Sequence, residues 1–421
     1  MPSPSSTRAA PARRPAPAPG HEDVRALLDT ISLYLHIPFC HAKCHYCDFN
    51  SYAGMLGLRD AYVDALEREI LFAGRRARHS DGTLRRCRTI FFGGGTPSLL
   101  APEQVARLLA AARQAFALDA GAEITMEANP GAIEYGQLDA VRAAGVNRLS
   151  FGAQSFDPSL LRWMGRIHTA DEIGAAVRAA RRAGFTNLNL DFIFALPGQS
   201  EQTWAATLER AVALAPEHLS LYSLIVEEGT PLYRWVADGR VRPVDDDRAA
   251  DMYELAAARL AAAGYQQYEI SNWSTPGHEC QHNLTYWRNL PYIGLGAGAH
   301  GWYGGRRYSE ARPIRDYLRL VAAACDGDAA TAALPAGAVV ECETIAPEME
   351  MAETAMVGLR LVEGLALPDF AERFGHSFDE ALGARVADVR ALGLLEERDG
   401  HLRLTERGRL LGNEVFERVL P

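Results

Sequence analysis

Apolar and polar positions alternate in two registers along this chain. Leu33, Leu35 and Ile37 alternate with Tyr34, His36 and Pro38, a period of two that predicts a strand over 31–39. Beyond it, Leu58, Tyr62, Leu66 and Ile70 keep a helical spacing, which predicts a helix over 57–74. A short strand at 88–92 follows, and the two registers then trade places repeatedly. Helices are predicted at 102–117, 135–144, 171–183 and 201–214, and strands at 123–128, 148–153, 187–195 and 218–225. Six strands alternating with helices predict an α/β fold of parallel β/α units. Right-handed crossovers wind such units into a barrel or a partial (β/α)6 barrel.

Downstream the rhythm changes. An acidic outer helix is predicted at 245–263, a β-like run at 265–271 and a helix at 313–324. After Ile345, helices flank a hairpin over 394–405 with Asp399-Gly400 at its turn, the pattern of a winged-helix-like module. The expected organisation is a disordered tail at 1–22, a barrel at 23–270, a Gly- and aromatic-rich connector at 271–344 and a small, mainly helical domain at 345–421. The tail is rich in Ala, Pro, Ser and Arg and cannot bury a core.

Barrels of this class place their active groups at the C-terminal strand ends, and the polar clusters of this sequence fall there. The first strand runs into Cys40, Cys44 and Cys47, the second into Gly93-Gly94-Gly95-Thr96, and the third into Glu127. The fourth ends at Gln154 with Arg166 shortly after, the fifth carries Asp191, and the sixth carries Tyr222 and Ser223. Each alone has an ordinary structural reading, as a cap, a satisfied loop amide or an ion-pair partner. Together they map one rim. The glycine triplet allows close backbone approach but lacks the phosphate-loop pattern, and Gly294-Leu295-Gly296-Ala297-Gly298 is not followed by a predicted helix, so neither is read as a nucleotide motif.

The cysteines carry the most specific chemistry. Three thiolates at C-x-x-x-C-x-x-C spacing suffice for three irons of a cubane cluster and leave the fourth iron open. A structural zinc site wants four closed ligands, which His41 or His45 would have to complete. The other cysteines, Cys87, Cys280, Cys325 and Cys342, are scattered and suggest no disulfide framework in a chain of 421 residues. A formal net charge of −10 argues against nucleic acid as a partner, and acidic residues outnumber basic ones in the C-terminal module as well. No apolar run is long enough to span a membrane, so a cytoplasmic protein is expected, at most peripherally associated with a membrane.

The motifs Tyr34-x-His36-x-Pro38-Phe39-Cys40-x-x-x-Cys44-x-Tyr46-Cys47, Gly93-Gly94-Gly95-Thr96-Pro97 and Leu196-Pro197-Gly198-Gln199 resemble those of the radical S-adenosylmethionine (SAM) enzymes. More narrowly, they resemble the coproporphyrinogen III dehydrogenase branch, from about residue 31 to the C-terminus. The resemblance implies a [4Fe–4S] cluster on Cys40, Cys44 and Cys47. It further implies SAM contacts from Gly94, Gly95 and Thr96 and from Tyr34, Tyr46, Glu127, Gln154, Arg166, Asp191 and Ile225.

That branch holds oxygen-independent coproporphyrinogen oxidases and the HemW-like haem chaperones. Asp48-Phe49 stands where the oxidase pattern continues with a further cysteine, and the first strand begins closer to the N-terminus than in the oxidases. His282-Asn283-Leu284-Thr285-Tyr286-Trp287 matches the H-N-x-x-Y-W pattern of the chaperones. An imidazole can ligate haem iron and Tyr and Trp offer flat faces, so His282, Tyr286 and Trp287 are read as a haem loop, with His278, Cys280 and His300 as lesser axial candidates. The alternative is a core segment in which His282 hydrogen-bonds and Trp287 packs. The expected function is haem binding and delivery to acceptor haemoproteins, respiratory membrane proteins among them. Oxidative decarboxylation of coproporphyrinogen III is the alternative, and homodimerisation is left open.

Overall fold

In the computed structural model, residues 24–132, 135–326 and 334–421 are described, and the tail read at 1–22 lies outside them. β1 (Ile31–Ile37), β2 (Arg86–Gly94), β3 (Ala117–Ala128), β4 (Arg148–Gln154), β5 (Leu188–Phe194) and β6 (His218–Ser223) lie side by side in chain order, every pair parallel. Helices Arg59–Arg76, Pro102–Ala115, Leu138–Ala144, Ala170–Arg182 and Glu201–Ala213 make the crossovers. Two of their starts are chemically marked: Thr169 and Glu172 form a capping box, and Ser200 accepts from the Thr203 N–H. β3 is longer than its apolar pattern predicts. Its first residues pair with Arg86 and Cys87 beyond a bulge and are largely solvated, so they carry no periodicity.

The sheet continues past both ends of this array. On the far side of β1 lies β7 (Tyr292–Leu295), also parallel, followed by the antiparallel strands His300–Tyr303, Arg306–Glu310 and Val339–Thr344. Beyond β6 comes the hairpin Gln266–Glu269 and Asn272–Ser274. The twelve strands run in one linear order, so the barrel is partial and open. The stretch read as a connector thus extends the sheet. Its strands are short and polar on the outer edge, which hides them from a periodicity reading.

The barrel interior is polar towards the strand N-termini, and there the H-N-x-x-Y-W segment sits as a helix, Gln281–Trp287, rather than as a loop. Glu123 of β3 accepts from the N–H groups of Gln281 and His282, which satisfies two free donors of the first turn. His282 is 1% exposed and stacks on Phe91 of β2. Its Nδ1 lies 2.7 Å from Thr89 Oγ1 and its Nε2 2.9 Å from the Tyr286 hydroxyl.

The C-terminal module has its own apolar core, built on Leu359, Phe370, Leu402 and Val415 among others. Its hairpin, Leu395–Arg398 with His401–Leu404, turns at Asp399 and Gly400, both with positive φ (50° and 79°), as the Asp-Gly pair predicts.

Candidate functional site

Past β1 the chain stays extended for Phe39–Cys40, pairs with Tyr52–Ala53, and encloses the cysteine loop between them. The loop is held mostly by polar contacts. Lys43, the one lysine of the chain, donates from Nζ to the carbonyls of Phe49 (3.0 Å) and Ser51 (3.5 Å). Asn50 Nδ2 donates to the carbonyls of Ala297 (2.8 Å) and Arg312 (2.9 Å), and the His45 N–H donates to the Met164 carbonyl. Lys43→Met removes the internal clamp while keeping the aliphatic stem. Its expected outcome is a cluster that bleaches several-fold faster in air with an unchanged melting temperature, followed by visible absorbance against wild type.

Cys40, Cys44 and Cys47 line one cavity of about 470 Å³. Of the residues matched to SAM contacts, Tyr46, Gly94, Gly95, Thr96, Glu127, Gln154, Arg166, Asp191 and Ile225 line the same cavity. Ile225 sits at the rim, 65% exposed. Tyr34 does not reach it. Tyr34 lines an adjoining cavity of about 450 Å³ that shares Gly94 and Glu127 with the first.

The lining of the first cavity mixes a guanidinium, an amide and two carboxyl groups. Arg166 donates from Nη1 to Cys44 Sγ (3.4 Å) and from Nη2 to the Gly152 carbonyl (2.7 Å), while its buried Nε has no partner. Beside it Gln154 holds a left-handed φ of 65° after an irregularity in the β4–β5 pairing, and its buried Oε1 has no partner either. Such conformations persist where surrounding structure over-determines them, commonly at sites. The strands on either side of β4 carry the two carboxyl groups, Glu127 on β3 and Asp191 on β5. Asp191 accepts from Ser150 Oγ (2.9 Å) and Asn189 Nδ2 (2.7 Å), and burial raises its pKa. Burial, then the nearby Asp191, pushes Glu127 up to about 8, against one hydrogen bond from the Gly94 N–H.

This arrangement fits the implied groups. Three thiols suit a cluster with one open iron. Burial pushes the Cys47 thiol up to about 11, and a bound metal supplies the charge that deprotonates it. An unpaired guanidinium N–H suits the carboxylate of an amino-acid moiety, and the two carboxyl groups suit its ammonium, whose positive charge favours their ionised form. The glycine triplet contributes space rather than donors. A Cβ at Gly94 would collide with the His36 ring and one at Gly95 with the backbone of Ile37 and Phe39, while the N–H groups of Gly95 and Thr96 are taken by the carbonyls of Ile37 and Phe39. His45 does not line this cavity: its Nδ1 is 2.8 Å from the Trp163 carbonyl and its ring packs against Trp235.

The Glu127 shift has a stability consequence. The folded protein keeps this proton up to about pH 8, whereas an unfolded carboxyl loses it near 4.5. Stability from this group is therefore fully present below 4.5 and lost as pH rises through 8. Glu127→Gln removes the titration. The difference in melting temperature, variant minus wild type, is expected to grow from pH 5 to pH 8 and level off above. A difference independent of pH would contradict the assignment.

The three haem-loop residues do not share a face. His282 is enclosed in the barrel with both ring nitrogens engaged, so it has no lone pair free for an iron, and its expected axial role is corrected on that ground. Tyr286 lines the second cavity. Trp287 lines a third, against the C-terminal module, with the Arg360 guanidinium 4.5 Å from its ring. His278 bonds Thr275 and Cys280 is buried against Glu123. His300, in contrast, lines the second cavity. Sequence reading missed Tyr292 and Arg312 there, because neither belongs to a motif with a chemical spacing.

Comparison with known proteins identifies the family. The Radical SAM superfamily pattern matches residues 34–211 and the HemN C-terminal domain pattern residues 345–411. A protein of Bacillus subtilis, Heme chaperone HemW, is 38% identical over 386 residues, 91% of this chain and 98% of its own length. The protein of the same name from Escherichia coli is 37% identical over 403 residues, 93% and 99% of the two chains. Among solved structures, the radical SAM enzyme coproporphyrinogen III oxidase (HemN) from Escherichia coli superposes with a TM-score of 0.78 at 25% identity, covering 94% of this chain and 92% of that one.

Proposed function

The chain belongs to the HemW family of haem chaperones, and we propose that it binds haem beside a SAM-bound [4Fe–4S] cluster and hands that haem to acceptor haemoproteins. The observation that carries the reading is the pairing of cavities. One is lined by three thiols, an arginine and two carboxyl groups, and the next carries the rings of Tyr34, Phe49, Tyr286 and Tyr292 in its lining; the two share Asp48, Phe49, Gly94 and Glu127. Cys40, Cys44 and Cys47 hold the cluster in this reading. Arg166 and Gln154 offer their unpaired atoms to SAM, with Glu127 and Asp191 facing them. When bound, the cluster supplies an open iron and an electron, chemistry that belongs to the cofactor. The protein's part is to exclude water, fix the ligand and set charge.

Phe49 weighs against the oxidase alternative. It is 62% exposed at the rim common to both cavities, where the oxidases place a further cysteine. Among the described residues no helix is long and apolar enough to cross a membrane. Delivery to respiratory membrane proteins would therefore rest on contact with the acceptor, as a monomer or a dimer.

Transfer is tested by mixing haem-loaded protein with haem-depleted respiratory membranes, with apomyoglobin as a passive sink. The expected result is a transfer rate that rises with membrane concentration and exceeds loss to apomyoglobin. A rate equal for both and independent of their concentration would overturn delivery.

A further inference from the structure

The second cavity has no role in holding a cluster, yet its lining is specialised. Tyr286 and Tyr292 stand edge to face, ring centroids 4.8 Å apart. Tyr34 and the exposed ring of Phe49 add further aromatic surface. Flat apolar walls of this kind suit a planar macrocycle. The lining also holds His36, Asp48, Asn50 and Glu127, and two further polar side chains in it are not spent on the fold. The imidazole of His300 is exposed and makes no hydrogen bond to a described residue, unlike His36, His168, His218 and His282, whose ring nitrogens are all engaged. The guanidinium of Arg312 has no ion-pair partner among the described residues. Its backbone, however, is fixed, because the Arg312 carbonyl accepts from Asn50 Nδ2 (2.9 Å) and the Tyr52 hydroxyl (3.0 Å).

We propose that this chamber is the haem seat: the macrocycle lies against Tyr286, Tyr292 and Phe49, His300 gives its iron an axial nitrogen, and Arg312 pairs with a propionate. The inference rests on the haem-chaperone reading and replaces His282 by His300 as the ligand. Partial burial and the positive charges of Arg312 and Arg307 hold the His300 pKa below its ordinary value, against the opposing pull of Glu341, which keeps a lone pair available at neutral pH. The same Asn50 and Tyr52 that fix Arg312 belong to the cysteine loop. Haem and cluster therefore share one set of supports, and the occupancy of one cavity is felt at the other.

The test is a titration of the anaerobic full-length protein with haemin, read by the Soret band and by electron paramagnetic resonance of the ferric complex. His300→Ala is expected to change the spin state and weaken binding at least tenfold, with His300→Gln as a second, better-packed variant and the melting temperature of each recorded. Arg312→Gln is expected to weaken haemin several-fold but to leave binding of haemin dimethyl ester, which lacks free propionates, unchanged. His282→Gln is expected to leave the ferric spectrum as in wild type. If both His300 variants bind haemin with wild-type spectrum and affinity, the proposal is wrong. If wild type itself takes up no haemin, the chaperone reading fails first, and the two failures are distinct.

Discussion

Replacing Cys40, Cys44 and Cys47 together by alanine is expected to strip the reconstituted protein of iron, from about four atoms per chain to none, and to abolish SAM binding. The fold is expected to survive. None of the three is wholly buried, and the side-chain contacts of Cys40 with Thr96 and of Cys44 with Arg166 belong to the cavity rather than the core. The loop keeps its shape through Lys43, Asn50 and Tyr52. SAM affinity falls because the cluster's open iron is lost and because Arg166 is left facing an emptied wall. Iron analysis, isothermal titration with SAM and a thermal melt check the three parts. Retained SAM affinity without iron would show that Arg166, Gln154 and the acidic pair bind the ligand unaided.

His282→Ala carries the second large effect, and it acts on stability. The side chain is enclosed by Tyr34, Phe91 and Tyr286, and its removal leaves the Thr89 and Tyr286 hydroxyls without their partner inside the barrel. An unsatisfied buried hydroxyl costs about 1–3 kcal/mol, and a large-to-small change in a packed interior adds about 2 kcal/mol or more. A loss on the order of 3 kcal/mol follows, since the hydroxyls can partly re-pair. Chemical denaturation measures it. An axial-ligand role would instead leave denaturation unchanged and alter only the haem spectrum.

That contrast marks where sequence reading reached its limit. The parallel strands were legible because β1 to β6 bury continuous or alternating apolar sets and several of the intervening helices open or close with a recognisable cap. The cluster loop was legible because thiolate spacing has few other uses. His282 was left between haem ligand and core residue because hydrogen-bonded burial and metal ligation ask the same things of an imidazole, and only its neighbours tell them apart. Lys43 had no evident reason in the sequence, and its reason is the carbonyls of Phe49 and Ser51, reached only when the loop closes. Tyr292, His300 and Arg312 come together through β7 and the two strands after it, which are too short to leave a periodic trace. The barrel frame was thus readable from pattern, whereas the second cavity depends on pairing between segments far apart in the chain.

The measurement that bears most directly on the account is an anaerobic assay of the reconstituted protein with dithionite, SAM and coproporphyrinogen III, run beside a haemin titration. The account predicts stoichiometric haemin binding and no decarboxylated porphyrinogen beyond a single turnover. Protoporphyrinogen formed over many turnovers, without stable haemin uptake, would contradict it and restore the oxidase reading that Phe49 argues against.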